Sequence, residues 1–591
     1  MDLKRLAGRA LATLSLSMLC LVAFAQGRQI TGTVVDGTGE TVIGANVLVV
    51  GTTNGVITDM DGNFTLQDVP TNAKLQISFI GYVPQTISVG NQNHVKVTLK
   101  EDSQALDEVV VIGYGTVKKR DLTGSVASVN NEVLTANPVS NVSQALQGKL
   151  PGVTVISQDG RPGADVSIRV RGGGSITQSN EPLFVVDGFP VSSISDIPAD
   201  QIESIDVLKD ASSTAIYGAR GANGVILVTT KGAKSEKVTV TYNAYIQTKT
   251  VAKTLDALNA QDYVKYTWGY ASALGNSYKE AVEKYFGLGA NYGNKFADYA
   301  NVNAHDYTDD LLHSALSHTH NLSVMGGGEK TKIVFNVNYL NDEGIKINSG
   351  YHRFNTSLKL KQELLKNLSL DLDLRYMEDE TTGKESSTNG KGSILSGAYR
   401  WRAIDNPLGD ASDFSGFLMG ADNVDTAYGS PVAHTNDVQN IANRQNLRAS
   451  AAISWDIIKG LTARSEIGLG RNWSETKYYE DGLTQNYKYA KLTKGNGYNI
   501  RNVTTLNYQV QGLSEIHSLS FLLGNEILIN KSNSSEIIGA GYPDGFDFDQ
   551  TFGMIDQTDK SLAKDAFKNT IGTPKKTVSF FGRANYSLLG R

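Results

Sequence analysis

The strongest constraint on how this chain folds is an alternation that begins near residue 236 and recurs to the end. Leu368, Leu370, Leu372, Leu374 and Tyr376 share one face of an extended chain, and Ser369, Asp371, Asp373 and Arg375 share the other. Successive side chains of a strand point to opposite faces, so each such stretch is a strand apolar on one side only. Ile333, Phe335, Val337 and Tyr339 alternate with Val334, Asn336 and Asn338 in the same way, and Val238, Val240, Tyr242 and Ala244 with Thr239, Thr241 and Asn243. Apolar-out, polar-in patterning over about ten residues is the signature of a membrane barrel strand.

The spacing of these stretches sharpens the reading. About ten are expected, near 236–249, 317–327, 331–341, 353–363, 367–377, 446–456, 461–472, 500–511, 516–528 and 577–588. The second, fourth, sixth and eighth run into the next through tight turns at Gly326–Glu329, Leu364–Lys366, Ile457–Gly460 and Gly512–Glu515. The odd-numbered ones end in longer loops. Short turns on one side and long loops on the other are what an outer-membrane barrel produces. A soluble sandwich has no reason to keep that parity.

The segments before the alternation differ. Residues 26–100 read as a small β-sandwich with strands at Ile30–Val35, Asn46–Val50, Phe64–Leu66, Lys74–Ile80 and His94–Leu99. Asp59-Met60-Asp61-Gly62-Asn63 resembles a calcium loop but lacks the bidentate Glu six residues after the Gly, so a hairpin turn is expected. Residues 101–120 form a polar linker around a β-prone stretch, Leu106-Asp107-Glu108-Val109-Val110-Val111-Ile112-Gly113-Tyr114-Gly115. That stretch is either one more strand or a segment that a partner captures by adding it to a sheet edge. Residues 121–232 mix helix and strand signals, as in a compact α+β domain. Val142–Gln147 starts a short helix, Val166–Arg171, Leu183–Val186, Ile205–Leu208 and Val225–Thr229 read as strands, and Asp200 reads as a helix N-cap.

The N-terminus reads as an export signal. Lys4, Arg5 and Arg9 precede an apolar run from Leu11 to Phe24, and cleavage is expected between Ala25 and Gln26. Cys20 suggests a lipoprotein, but Leu19 is too bulky for a lipobox. Cleavage removes this one cysteine and leaves 52 Lys and Arg against 59 Asp and Glu, a net charge of −7. Disulfides and thiolate metal sites are then excluded, and the acidic balance argues against nucleic acid as a partner. No later run of 18 apolar residues offers a helical membrane span.

No catalytic constellation is legible. Gly172-Gly173-Gly174 is not followed by Lys-Ser/Thr, and Gly218, Gly221 and Gly224 precede a strand rather than a helix, so neither is a phosphate loop. His318 and His320 share a strand face, with no third ligand nearby in sequence. Tyr263, Tyr266, Tyr270, Tyr278, Tyr285, Tyr292, Tyr299 and Tyr307 crowd the loop at 250–316 with Trp268. They can contact a ligand, pack the loop on itself or line the membrane interface. No enzyme, metal or cofactor is expected.

Four stretches resemble the SusC/RagA family of TonB-dependent outer-membrane transporters. They are LDEVVVIGYG at Leu106–Gly115 with DLTGSVASV at Asp121–Val129; ALQGKLPGVTV at Ala145–Val155; VSIRVRGGG at Val166–Gly174 with PLFVVDGFP at Pro182–Pro190; and the long run Ile197–Gly232. Residues 26–100 resemble the carboxypeptidase-regulatory-like extension of that family. The resemblance implies a signal peptide at 1–25, a TonB box at Leu106–Gly115 in the linker 101–120, and a plug at 121–232. It implies part of a transmembrane barrel at 233–591. The plug motif falls on Arg169, Arg171, Gly172, Asp187, Gly188, Lys209, Asp210, Tyr217, Gly218, Arg220, Gly221, Asn223 and Gly224. The implied partners are TonB, a SusD-like surface lipoprotein, outer-membrane lipid and an oligosaccharide or peptide ligand. The implied function is energy-coupled import, and the other reading is a surface binding or adhesion protein without transport. Plugged transporters close at about 22 strands, so about ten strands suggest a truncated product.

Overall fold

The computed structural model describes residues 28–588, apart from 101–108, 119–125, most of 384–430 and scattered single positions and short runs. Ala25, Gln26, Leu106, Asp107, Glu108, Gly113 and Tyr114 lie outside the described residues. The chain divides into two compact units, residues up to 110 with 116–122, and residues 111–115 with 123 onward. The fold is mainly β.

The first unit holds seven strands, β1 (Arg28–Val35), β2 (Asn46–Val49), β3 (Gly55–Ile57), β4 (Asn63–Val69), β5 (Lys74–Ser78), β6 (Gln85–Ser88) and β7 (His94–Thr98). They form two sheets, ordered β4-β1-β7 and β3-β2-β5-β6. Their alternate residues, among them Ile30, Val34, Val47, Leu66, Leu75, Ile77 and Val97, close one apolar core. The turn at Asp59–Asn63 is not a hairpin, because β3 and β4 belong to different sheets. It is instead a corner held by the Asp59 carboxylate, which accepts the backbone N–H groups of Asp61 (3.0 Å) and Asn63 (2.8 Å). Two short strands follow, β8 (Val109–Ile112) and β9 (Gly115–Lys118), paired with each other.

In the second unit the small α+β domain contains β10 (Val126–Asn130), β11 (Val153–Ser157), β12 (Val166–Val170), β13 (Leu183–Val186), β14 (Phe189–Val191), β15 (Ile202–Leu208) and β16 (Val225–Thr230). The main sheet runs β10-β15-β16-β13-β14, with β11 and β12 paired separately. Leu134, Leu146, Ile168, Ile194, Ile205, Val207 and Ile226 lie in one core drawn wholly from residues 129–228. The expected helix at Asp200 is absent. Ala199–Gln201 is a single 3-10 turn and β15 begins at Ile202. Burial of Ile202, Ile205, Val207 and Leu208 between β10 and β16 outweighs the capping signal.

The remaining strands form one antiparallel sheet, consistent with a partial barrel. They are β17 (Thr239–Lys249), β18 (Ala315–Gly327), β19 (Thr331–Glu343), β20 (Gly350–Leu365), β21 (Leu368–Thr382), β22 (Val438–Ile458), β23 (Leu461–Glu480), β24 (Tyr489–Gln509), β25 (His517–Ala540), β26 (Phe567–Ile571) and β27 (Lys575–Leu588). The last two share one place in the sheet, since both pair with β25 and Pro574 separates them. Pro lacks the N–H a ladder needs. The ten expected strands are therefore all present.

Several strands are longer than expected, chiefly at the loop end. β22 to β25 run on through 438–445, 473–480, 489–499 and 529–540, which leaves β23 and β24 joined by the short link 481–488, and β19 and β20 are joined by 344–349. Those extensions mix polar and apolar residues on each face, so no regular alternation marks them. Trp455 and Trp473 are exposed on the outer face. Trp473 stands opposite Gln445, ten residues along β22 from Trp455. That matches the roughly 9–11 residues of a membrane-crossing strand. The tyrosine-rich loop is not irregular. It builds helices at Ala260–Leu274 and Asn276–Phe286 with its own core, where Tyr285 and Tyr299 are fully buried.

Candidate functional site

The polar face of the sheet meets the α+β domain, and the functional residues gather along that seam. At its centre is the tight turn between β13 and β14. Asp187 (φ 48°) and Gly188 (φ 86°) both take positive φ, as a type I′ hairpin turn requires and as Asp-Gly favours. The turn aims Asp187 outward from its own sheet. Its carboxylate accepts the backbone N–H of Thr230 (3.0 Å) and the Thr230 hydroxyl (2.8 Å). It also pairs with Lys359 (2.9 Å) on β20 and with Arg375 on β21. Burial pushes this carboxyl up, but Lys359, Arg375 and the Thr230 N–H outweigh burial and hold it at about 2.

Phe189, two residues on, enters the wall beneath two guanidinium groups, Arg448 at 5.1 Å and Arg501 at 5.8 Å from the ring centre. Gly468 leaves room for it, since a Cβ there would stand 2.4 Å from the Phe189 ring. Arg501 is buried and bonds Glu526 (2.7 Å) and Glu466 (3.2 Å), and Arg220 reaches Glu526 at 3.6 Å. Further along, Arg353 donates to the Ser195 carbonyl (2.6 Å), Asn446 to Asp196 (3.1 Å), and Asn321 to Asp200. Asp196 differs from Asp187: burial first, and then the charge of Asp379, push its carboxyl up against the opposing pull of Arg444 and Arg353.

The residues singled out from the sequence divide in two. Asp187 and Arg220 cross the seam. Arg171 pairs with Asp210, Lys209 donates to the Pro151 carbonyl, and Asn223 donates to Ser179 (3.1 Å) and Glu181 (3.4 Å), so these tie the domain's own loops together. Gly218 (φ 59°) and Gly224 (φ 89°) sit at turns, Gly221 is buried beside Thr214, and Tyr217 is half-buried. Arg169 and Gly172 are exposed. Val109–Ile112 and Gly115 lie in the β8–β9 pair.

Lys359, Arg375, Arg501, Glu526 and Arg353 were not singled out. A signal existed: charges on the polar face of a strand at membrane depth must find partners. Among the described residues no group of three His, Cys, Asp or Glu is placed to hold a metal. His318 and His320 lie on the outer face, flanked by Tyr339 and Tyr242.

Comparison with known proteins fits this geometry. The TonB-dependent Receptor Plug Domain family matches residues 118–225, and the CarboxypepD_reg-like domain family matches residues 30–111. The chain is 33% identical to the TonB-dependent receptor SusC of Bacteroides thetaiotaomicron over 97% of its own length and 56% of that protein. It is 35% identical to the TonB-dependent receptor P3 of Formosa agariphila over 75% of its length and 42% of that protein. It thus spans about half the length of the curated relatives it matches. The fold is that of the RagAB peptide importer in its open-open state, with a TM-score of 0.63, 22% identity, and coverage of 82% of this chain and 55% of that one.

Proposed function

The chain belongs to the SusC/RagA type of TonB-dependent receptors over the part of that family's length it spans, and on that premise we propose that it serves energy-coupled import of an oligosaccharide or peptide across the bacterial outer membrane. Residues 121–232 act as the plug and the sheet from β17 onward as barrel wall. The observation that carries this reading is the nature of the seam. The plug's apolar core contains no wall residue. The two meet mainly through ion pairs and hydrogen bonds, Asp187–Lys359, Arg220–Glu526 and Arg353–Ser195 among them. Such a plug can be drawn away without opening its core or the wall's ladder, because polar contacts exchange for water at small net cost.

Leu106–Gly115 is the TonB box in this reading. Its Val109–Ile112 portion takes strand form, which suits capture by strand addition in the periplasm. The export signal expected at 1–25 and the outer apolar band support a wall set in outer-membrane lipid. Ligand enters from the side of the long loops, where a SusD-like lipoprotein is the expected partner. No reaction is assigned to the chain.

The test is deletion of residues 106–115 in the receptor expressed from its own locus. Ligand uptake is expected to fall to background while ligand binding at the cell surface persists. Uptake that survives the deletion overturns the reading in favour of a binding protein without transport.

A further inference from the structure

The ladder sets like charges directly opposite one another twice on the wall face turned to the plug. Lys332 stands opposite Lys361 between β19 and β20, and Arg375 opposite Arg448 between β21 and β22. Directly opposed like charges destabilise a sheet unless an anion relieves them. Arg375 is relieved by Asp187 and Asp373. The other three are not, for among the described residues Lys332, Lys361 and Arg448 carry no ion pair. Asp371 lies opposite Lys361, but Arg464 holds it at 2.6 Å. Arg448 lies over the Phe189 ring, and Asp373, Asp196 and Asp187 act on it only from beyond ion-pair distance.

All three cations border one open-sided cavity of about 300 Å³, lined by the Asp187 turn and strands β19 to β23. Lys361 is exposed there, and Lys332 and Arg448 are half-buried. Four carboxylates also line it, and each is already paired: Asp187 with Lys359 and Arg375, Asp373 with Arg375, and Asp371 and Glu466 with Arg464. The three cations left over suit a further anionic group.

We propose that this cavity binds an anionic group, a carboxylate or a phosphate, and that the group belongs to an acidic substrate passing the plug. The second half rests on the import reading. The first does not. Lys332, Lys361 and Arg448 hold the arriving anion. When the plug's turn withdraws, Lys359 and Arg375 lose Asp187 and join them, so an acidic substrate replaces the plug's own carboxylate instead of meeting bare wall.

Two probes separate the sources, inorganic phosphate and a glucuronate-containing disaccharide, each titrated calorimetrically into detergent-solubilised receptor. The uronate is expected to bind saturably, and its neutral methyl ester about tenfold more weakly or worse, the loss of one charge-assisted contact. Arg448→Gln and Lys332→Gln are each expected to weaken uronate binding by a similar factor, with Arg448→Lys in between. Lys361→Gln, at the exposed mouth, guards against a folding defect, and melting temperatures of all variants are compared with the parent. Phosphate binding alone, lost in the same variants, keeps the anion site and overturns the acidic substrate. No binding of either probe, or binding indifferent to all the variants, overturns the site. Deleting residues 106–115 leaves probe binding intact even where uptake is lost, so failure of the import reading shows separately.

Discussion

The N-terminal domain and the plug are both small, and both close a core of aliphatic side chains between strands. They differ at their edges. The N-terminal domain completes itself, and its turn carboxylate Asp59 serves its own backbone. The plug directs Asp187, Asp196, Asp200 and Arg220 outward, and each finds its counterpart on a wall strand more than a hundred residues away in sequence. A domain that needs only to persist keeps its polar groups satisfied at home. One that must be held and released places them on its partner.

That contrast can be broken most sharply at Asp187. Asp187→Asn leaves Lys359 and Arg375 facing each other and is expected to loosen the plug by roughly 3 kcal/mol, with no change in the N-terminal domain. Hydrogen exchange of the β16 amides, against those of β1, reads the difference. The native carboxyl titrates at about 2, below its ordinary 3.8. Its contribution is thus fully present above pH 3.8 and lost as pH falls towards 2. Plug protection should drop in that window, and the drop should shrink in the variant. Equal loosening of both domains would dissolve the contrast.

Gly468→Ala comes next. A methyl group there meets the Phe189 ring at 2.4 Å, so the plug must shift. The expected cost is about 2 kcal/mol, seen as faster exchange in β13 and β14 with the wall unchanged. An unaltered plug would show that Phe189 is not a fixed anchor.

The smallest effect is expected at Asp196. Its carboxyl is raised by burial, so its charge works against the native state above its native pKa and the penalty disappears at lower pH. Asp196→Asn removes that charge and keeps an oxygen to accept from Asn446. A change of less than about 1 kcal/mol in plug exchange at neutral pH is expected. A loss as large as that of Asp187→Asn would mean that the seam is held by total charge rather than by particular pairs.

How much of this was legible in the sequence follows from how local each signal is. Alternation at Leu368–Tyr376 needs nothing beyond the strand's own period, and so the strands, their turns and the inward face could be read. The Asp187-Gly188 turn carries its signal in two residues. The extensions at 473–480 and 489–499 carry none, because Glu475 and Lys477 on one face and Ser474 and Thr476 on the other break the alternation, although Tyr479 and Ala490 are buried. The helices of the 250–314 segment were not marked, because its tyrosines fitted ligand contact, internal packing or the membrane interface, and nothing local chose among them. Tyr285 and Tyr299 are instead the core against which those helices pack. Asp200 misled because a capping residue states a local preference, and burial of Ile202, Ile205 and Val207 overrode it.

The sequence by itself determined the strand period, the apolar outer band, the order of domains and the likeness to TonB-dependent receptors. Those are properties of neighbours along the chain. Only the tertiary structure decided which charges meet: Asp187 with Lys359 and Arg375, Arg220 with Glu526, and, among the described residues, Lys332 and Arg448 in no ion pair. Pairing across a seam depends on strand register and on where a tight turn aims one side chain. Neither is written in the spacing of the residues that meet.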